Sequence, residues 1–178
     1  TSCDETAMAV VRAENSQGEP QFEVLGNTVS SQAELHSQYG GVYPNLARRE
    51  HQKNCLPVLL ETLQKSSLYN ESPVLLSAET EAQIREVLAR DPELVEHFIE
   101  IIPSIKKPDI DLLAVTQGPG LEPALWVGIS FAKALSLAWD IPLIPVNHME
   151  GHVLSPLLTH TTTKEVVFPV LSLLISGG

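Results

Sequence analysis

Two short apolar runs open the chain. Residues 7–13 (AMAVVRA) are apolar and β-branched enough for a strand. Residues 15–20 have the composition of a turn, and residues 22–29 read as a second strand, so the pattern predicts a β-hairpin. Residues 30–44 show neither period and read as irregular. Pro44 suits a first helical turn. Apolar positions at helical spacing then predict a helix to about Lys65, kinked at Pro57. Residues 66–108 read as a separate unit of two short helices. Ser77 or Thr80 is placed to cap the first, and Asp91-Pro92 to start the second. Their periodicity indicates packing, not chemistry.

From Leu112 the pattern changes. A short buried strand over 112–116 leads through Gln117-Gly118-Pro119-Gly120 into a helix over 123–138. A strand over 142–146 follows. Asn147 is placed to cap a helix from His148 to about Leu158, and residues 166–175 read as a long strand. Strand, helix, strand, helix, strand is the signature of an α/β domain with parallel pairing in at least part of its sheet.

Composition narrows the class. The 178 residues leave room for one domain with an insertion. At 43% hydrophobic the chain can bury a core, and at 5% aromatic that core is aliphatic. The longest apolar helix candidate, over 124–139, contains Lys133 and reads as buried within protein, so no membrane contact is expected. No basic-then-apolar leader opens the sequence. Cys3 and Cys55 are too few for a disulfide framework, which points to a reducing compartment, the cytoplasm or alternatively the mitochondrial matrix. A net charge of −11 argues against this segment gripping a polyanion unaided. Both ends read as cut, in a polar turn at Thr1 and a glycine pair at Gly178.

Five places can carry chemistry, the least specific being Ser176-Gly177-Gly178 after a strand, which suits a phosphate cradle, space for a ligand or a simple turn. In His148-Met149-Glu150-Gly151-His152 the two imidazoles stand four residues apart, on one face of a helix, where both can reach one metal ion. The peptidase pattern needs Glu directly after the first His, whereas Glu150 comes two residues later. Two partly buried histidines bonded to backbone or water explain the spacing at least as well, and a third ligand must come from elsewhere. The glycines of 117–120 let backbone N–H groups approach an anion at a helix start, or simply make a tight turn. Thr1-Ser2-Cys3-Asp4-Glu5-Thr6 packs hydroxyls and carboxylates into a turn before a strand. Asp4 and Glu5 are the candidate catalytic groups there, beside the simpler reading of an exposed polar turn. Tyr43, Arg48 and His51 combine an aromatic with local positive charge and are candidates to meet RNA or an adenylate.

The segments TSCDET, SSQAELHSQYGGVYPNLARREH, AVTQGPGL, VGISFAKAL, IPLIPVNHMEGH and LLISGG together resemble the TsaD family, once labelled O-sialoglycoprotein endopeptidase. They come in that family's order and cover most of the chain outside 66–108. The TSCDET start resembles the bacterial and mitochondrial branch. The resemblance implies an ASKHA-type fold, the actin-like or ribonuclease H-like architecture, with a mixed sheet flanked by helices. Residues 1–178 would be its N-terminal lobe, 66–108 a small helical insertion, and the second lobe would lie outside this chain.

The resemblance also implies a tRNA N6-adenosine threonylcarbamoyltransferase. Such an enzyme moves the threonylcarbamoyl group from threonylcarbamoyl-adenylate to the adenosine beside the anticodon in tRNAs reading ANN codons. His148 and His152 would be metal ligands, with iron the expected metal and zinc an alternative. Leu174, Ile175, Ser176, Gly177 and Gly178 match the family's substrate-binding strand end. TsaB-like and TsaE-like proteins would be partners in a bacterium. The metal-completing carboxylate belongs to the second lobe, so the 178 residues alone are expected to be inactive. A non-catalytic ASKHA paralogue serving as a scaffold is the alternative, and its lack of the histidine pair argues against it. A metallopeptidase is disfavoured by the displaced glutamate, and a generic ASKHA kinase would not need the two histidines.

Overall fold

A computed structural model describes residues 1–16, 19–159 and 169–174. It is a mixed α/β fold in which small sheets are flanked by helices. The hairpin forms from β1 (Glu5–Ser16) and β2 (Glu19–Ser31), antiparallel from Glu5 opposite Ser31 to Ser16 opposite Glu19. It is longer than the apolar run predicts, because pairing continues through polar residues. Within the predicted runs, Arg12 and Glu23 stand opposite each other and form an exposed ion pair at 2.9 Å. The register shifts between Val10 and Val11. Gly26, opposite Val10 beside that shift, lies against the next long helix, where an added Cβ would stand 2.8 Å from the Thr62 carbonyl oxygen.

A five-residue helix, α1 (Ala33–Ser37), occupies the stretch read as irregular. The long helix α2 (Pro44–Lys65) follows the prediction closely and continues unbroken through Pro57. The two short helices are α3 (Ala78–Val87) and α4 (Pro92–Ile101). Ser77 caps α3, its Oγ accepting the Thr80 N–H at 3.0 Å. Asp91 precedes α4 but makes no capping bond. Its carboxylate turns instead to α2 and accepts N–H groups from Arg48 and Gln52.

The expected separateness of 66–108 does not extend to packing. Ile84, Leu88, Leu94, Val95 and Phe98 share one core with Cys55, Leu59 and Leu63 of α2 and with Phe131 and Leu135 of α5 (Glu122–Trp139). Phe98 meets Phe131 edge-on at 5.7 Å. The short pair closes the far side of that core, because neither helix can bury its apolar stripe alone.

β3 (Leu113–Gly118) and β4 (Leu143–Asn147) pair in parallel across α5, as the strand–helix–strand pattern predicts. α6 (His148–Thr159) starts directly after β4. Among the described residues the hairpin and the parallel pair are two separate two-stranded sheets, not one mixed sheet. No described strand bridges them. The strand expected over 166–175 is not formed where it is described: residues 169–174 make no ladder. Pro169 has no N–H to donate to a ladder, and Leu171 and Leu173 stand exposed. Residues 166–168 and 175 of that expectation lie outside the described residues. No helix among the described residues is long and apolar enough to cross a membrane.

Candidate functional site

Loops leaving the carboxyl ends of parallel strands are where α/β sheets gather ligands. Here the ends of two such strands stand side by side. Gly118, at the end of β3, pairs with Asn147 at the end of β4. Asn147 then caps α6: its Oδ1 accepts the N–H groups of Met149 at 2.9 Å and Glu150 at 3.3 Å. That cap sets the first turn of the helix and with it the direction of His148 and His152.

The Nε2 atoms of His148 and His152 face each other at 3.1 Å, and their rings are 4.4 Å apart. Nitrogen ligands sit at about 2.0–2.1 Å from a bound first-row metal. Two of them on one ion stand about 3 Å apart, so the pair fits a shared ion. His148 is half-buried and His152 exposed. Burial lowers the pKa of His148, with help from the neighbouring His152. This favours the neutral imidazole that a metal requires. Glu150 is exposed. Among the described residues no group of three or more His, Cys, Asp or Glu side chains comes together to hold an ion. Asp4 and Glu5 therefore do not complete the histidine pair.

The polar turn of residues 1–6 packs on the glycine loop of 117–120. Leu121 gives its N–H to the Ser2 carbonyl at 2.9 Å, and a Cβ on Gly120 would stand 2.9 Å from the same oxygen. Leu121, the first residue after the loop, thus spends its N–H on the turn and does not hold it out to an anion. A Cβ on Gly128 of α5 would overlap Thr1 Oγ1, so glycine there lets the turn seat against the helix. Asp4 is half-buried, its carbonyl accepting the Gln32 N–H at 2.8 Å, and Glu5 is exposed at the start of β1.

His51, expected among the residues open to RNA or an adenylate, is fully buried. Its Nε2 lies 3.0 Å from the Cys3 carbonyl, and its Nδ1 lies 2.8 Å from Thr6 Oγ1 and 3.3 Å from Gln32 Nε2. Burial holds its pKa down to about 4, so it is neutral at physiological pH. The sequence carried a signal for this: Ala47, His51 and Cys55 recur every four residues and all three are buried. Arg48 is likewise engaged, by Asp91. Tyr43 alone of that trio is exposed, stacked on Tyr39 at 6.1 Å. Leu174 is exposed, and Ile175, Ser176, Gly177 and Gly178 lie outside the described residues.

The family model for tRNA N6-adenosine threonylcarbamoyltransferase, TsaD, matches residues 23–72 and 90–178. The chain belongs to this family. The matched span holds the glycine loop, the histidine pair and His51, while residues 73–89, which contain α3, fall outside it. Curated family members extend the likeness to the polar turn. The tRNA N6-adenosine threonylcarbamoyltransferase of Polynucleobacter necessarius is 39% identical over 180 residues, covering 100% of this chain. Those of Fusobacterium nucleatum and Thermomicrobium roseum are 38% and 40% identical, again over 100% of the chain. The chain spans 39%, 38% and 38% of the length of these three relatives.

Proposed function

We propose that this chain is the N-terminal, ASKHA-type lobe of an enzyme that makes N6-threonylcarbamoyl-adenosine in tRNA. The reaction moves a threonylcarbamoyl group from threonylcarbamoyl-adenylate to N6 of the adenosine beside the anticodon in tRNAs reading ANN codons. The observation that carries the reading is the 3.1 Å approach of His148 and His152 Nε2 at the carboxyl end of β4, in a chain of this family. Residues 66–108 are read as a helical elaboration of the lobe.

In this reading His148 and His152 hold one divalent ion, iron foremost and zinc as the alternative, since imidazole suits both. When bound, that ion supplies Lewis-acid polarisation of the carbamoyl-adenylate. Asn147 orients the two histidines through its cap on α6. Asp4 and Glu5 are the carboxylates placed to orient a reacting group, and the stretch from Leu174 through Ile175, Ser176 and Gly177 to Gly178 is the proposed contact for the adenylate. TsaB-like and TsaE-like proteins are the proposed partners, and the cytoplasm the proposed compartment. At a net charge of −11 the tRNA is gripped largely by surfaces beyond this segment.

The test uses a protein carrying this segment at the full length of its relatives. Supplied with threonylcarbamoyl-adenylate and tRNA, it should form the modified adenosine, read by nucleoside mass spectrometry. His148→Ala and His152→Ala should each lower metal content and transfer together, since loss of one of few ligands opens the site. Unchanged metal in both variants would make the histidines structural and overturn the assignment.

A further inference from the structure

The site described above leaves one buried polar network unused. It runs from the polar turn through α2 and α1 to the loop before α2. Its members are Thr6, Gln32, His36 and His51, each at most 4% exposed. Such a network is costly unless every donor meets an acceptor, so its proton arrangement can be worked out atom by atom.

The Cys3 carbonyl only accepts, so His51 Nε2, at 3.0 Å, carries the proton. Neutral His51 then has a bare Nδ1, and both of its neighbours must donate: the Thr6 hydroxyl at 2.8 Å and the Gln32 amide N–H at 3.3 Å. That fixes the Gln32 amide, whose Oε1 is left to accept from His36 Nε2 at 3.0 Å. His36 Nδ1 is then bare and accepts the Tyr43 N–H at 3.3 Å. Turning the Gln32 amide over would set its oxygen against the bare Nδ1 of His51. One arrangement satisfies every atom, with both histidines neutral and protonated on Nε2.

We propose that His51 is the positioning residue of the polar turn, clamping Cys3 and Thr6 on either side of Asp4 and Glu5, with Gln32 and His36 fixing its tautomer from behind. Gln32 adds a second hold through its own N–H on the Asp4 carbonyl at 2.8 Å. The turn is thereby tied at residues 3, 4 and 6 to elements that belong to the core. Through Tyr43 the same chain of bonds sets the loop that carries the stacked Tyr39 and Tyr43. The functional part of this inference rests on the proposed role of Asp4 and Glu5 in the transfer, and the tautomer assignment does not.

The experiment again uses the protein at full family length. His51→Leu removes both clamps, and His51→Gln restores a donor toward Cys3. His51→Leu should lower kcat about 10- to 100-fold, the scale of misplacing a reacting group. Metal content and the KM values for tRNA and adenylate should stay near wild type, and His51→Gln should recover most of the loss. Should His51→Leu fail to fold, the isosteric Thr6→Val carries the kinetic arm with the same expected direction. Nitrogen NMR of the wild type at neutral pH should show His36 and His51 neutral and protonated on Nε2. Gln32→Leu should leave His51 a mixture of tautomers. A folded His51→Leu (or its substitute) with wild-type kcat, or a His51 protonated on Nδ1, overturns the proposal. If the wild-type protein makes no modified adenosine, the functional reading fails, and the NMR result still decides the clamp.

Discussion

Arg48 holds the carboxylate of Asp91 from across the chain, its Nη2 at 2.6 Å and its Nε at 3.2 Å from one oxygen. Asp91 is 3% exposed, so this is a charge taken out of water and met by a partner on α2. Removing one partner of a buried pair costs about 3–5 kcal/mol because the other charge is stranded. Arg48 is itself partly solvated and Gln52 still donates to Asp91, which reduces the loss. Arg48→Ala should therefore destabilise by about 2 kcal/mol, read as a lower denaturant midpoint. A loss below about 0.5 kcal/mol would mean the pair behaves as a surface bridge.

That pair also shows where the sequence stops being readable. Asp91-Pro92 has the local signature of a helix start, and α4 does begin there. What the carboxylate does is set by Arg48 and Gln52 of α2, 43 and 39 residues away, and no local pattern reports it. The same holds for His51. Its helical spacing with Ala47 and Cys55 marks a buried stripe, but its partners come from the polar turn and from Gln32. The parts read correctly are those with a strong local period or punctuation: the hairpin, α2, and β3 through α6 with the Asn147 cap. The five residues of α1 are too few to show a period. The histidine pair was legible because both of its members lie on one helix.

Stability should depend on pH through His51. Its folded pKa of about 4 lies below the ordinary histidine value near 6.5, so the unfolded chain takes up the proton first. The contribution is fully present above pH 6.5, falls as pH drops toward 4, and levels off below that. The total is about 3 kcal/mol. Chemical unfolding at pH 5 and pH 7 should give a wider gap in wild type than in His51→Gln, which has no proton to take up. Equal gaps in the two proteins would place the acid sensitivity elsewhere.

Gly26 should tolerate no side chain. An added Cβ would lie 2.8 Å from the Thr62 carbonyl and 3.1 Å from the Ser66 nitrogen, both backbone atoms of the α2 end. Neither can move without shifting the hairpin off the helix. Gly26→Ala should cost about 1–3 kcal/mol, the range for forcing atoms into a packed contact. The control is Gly40→Ala, whose Cβ would meet nothing within 4 Å. Its φ of +72° adds a backbone cost of its own, of about 1 kcal/mol. Thermal unfolding of the two variants should rank Gly26→Ala as the more damaging, and the reverse order would mean that the hairpin yields easily.

The helical pair α3 and α4 should be coupled energetically to the rest of the core. Residues 73–89 fall outside the family match, yet Ile84 and Leu88 are fully buried in the same core as α2 and α5. Phe98 of α4 and Phe131 of α5 are 0% and 2% exposed and meet edge to face, with their planes at 86°. An edge-to-face pair contributes about 0.5–1.5 kcal/mol beyond the area it buries. If the pair of helices were an appendage, substitutions at the two positions would act independently and their costs would add within about 0.5 kcal/mol. Phe98→Leu and Phe131→Leu keep both sites apolar and should leave a folded protein. A double-mutant cycle by chemical denaturation should give a coupling of about 1 kcal/mol between them. The sign should be such that the second substitution costs less once the first is made, because the ring contact can be lost only once. Strict additivity would mean that α4 sits on the core without being part of it.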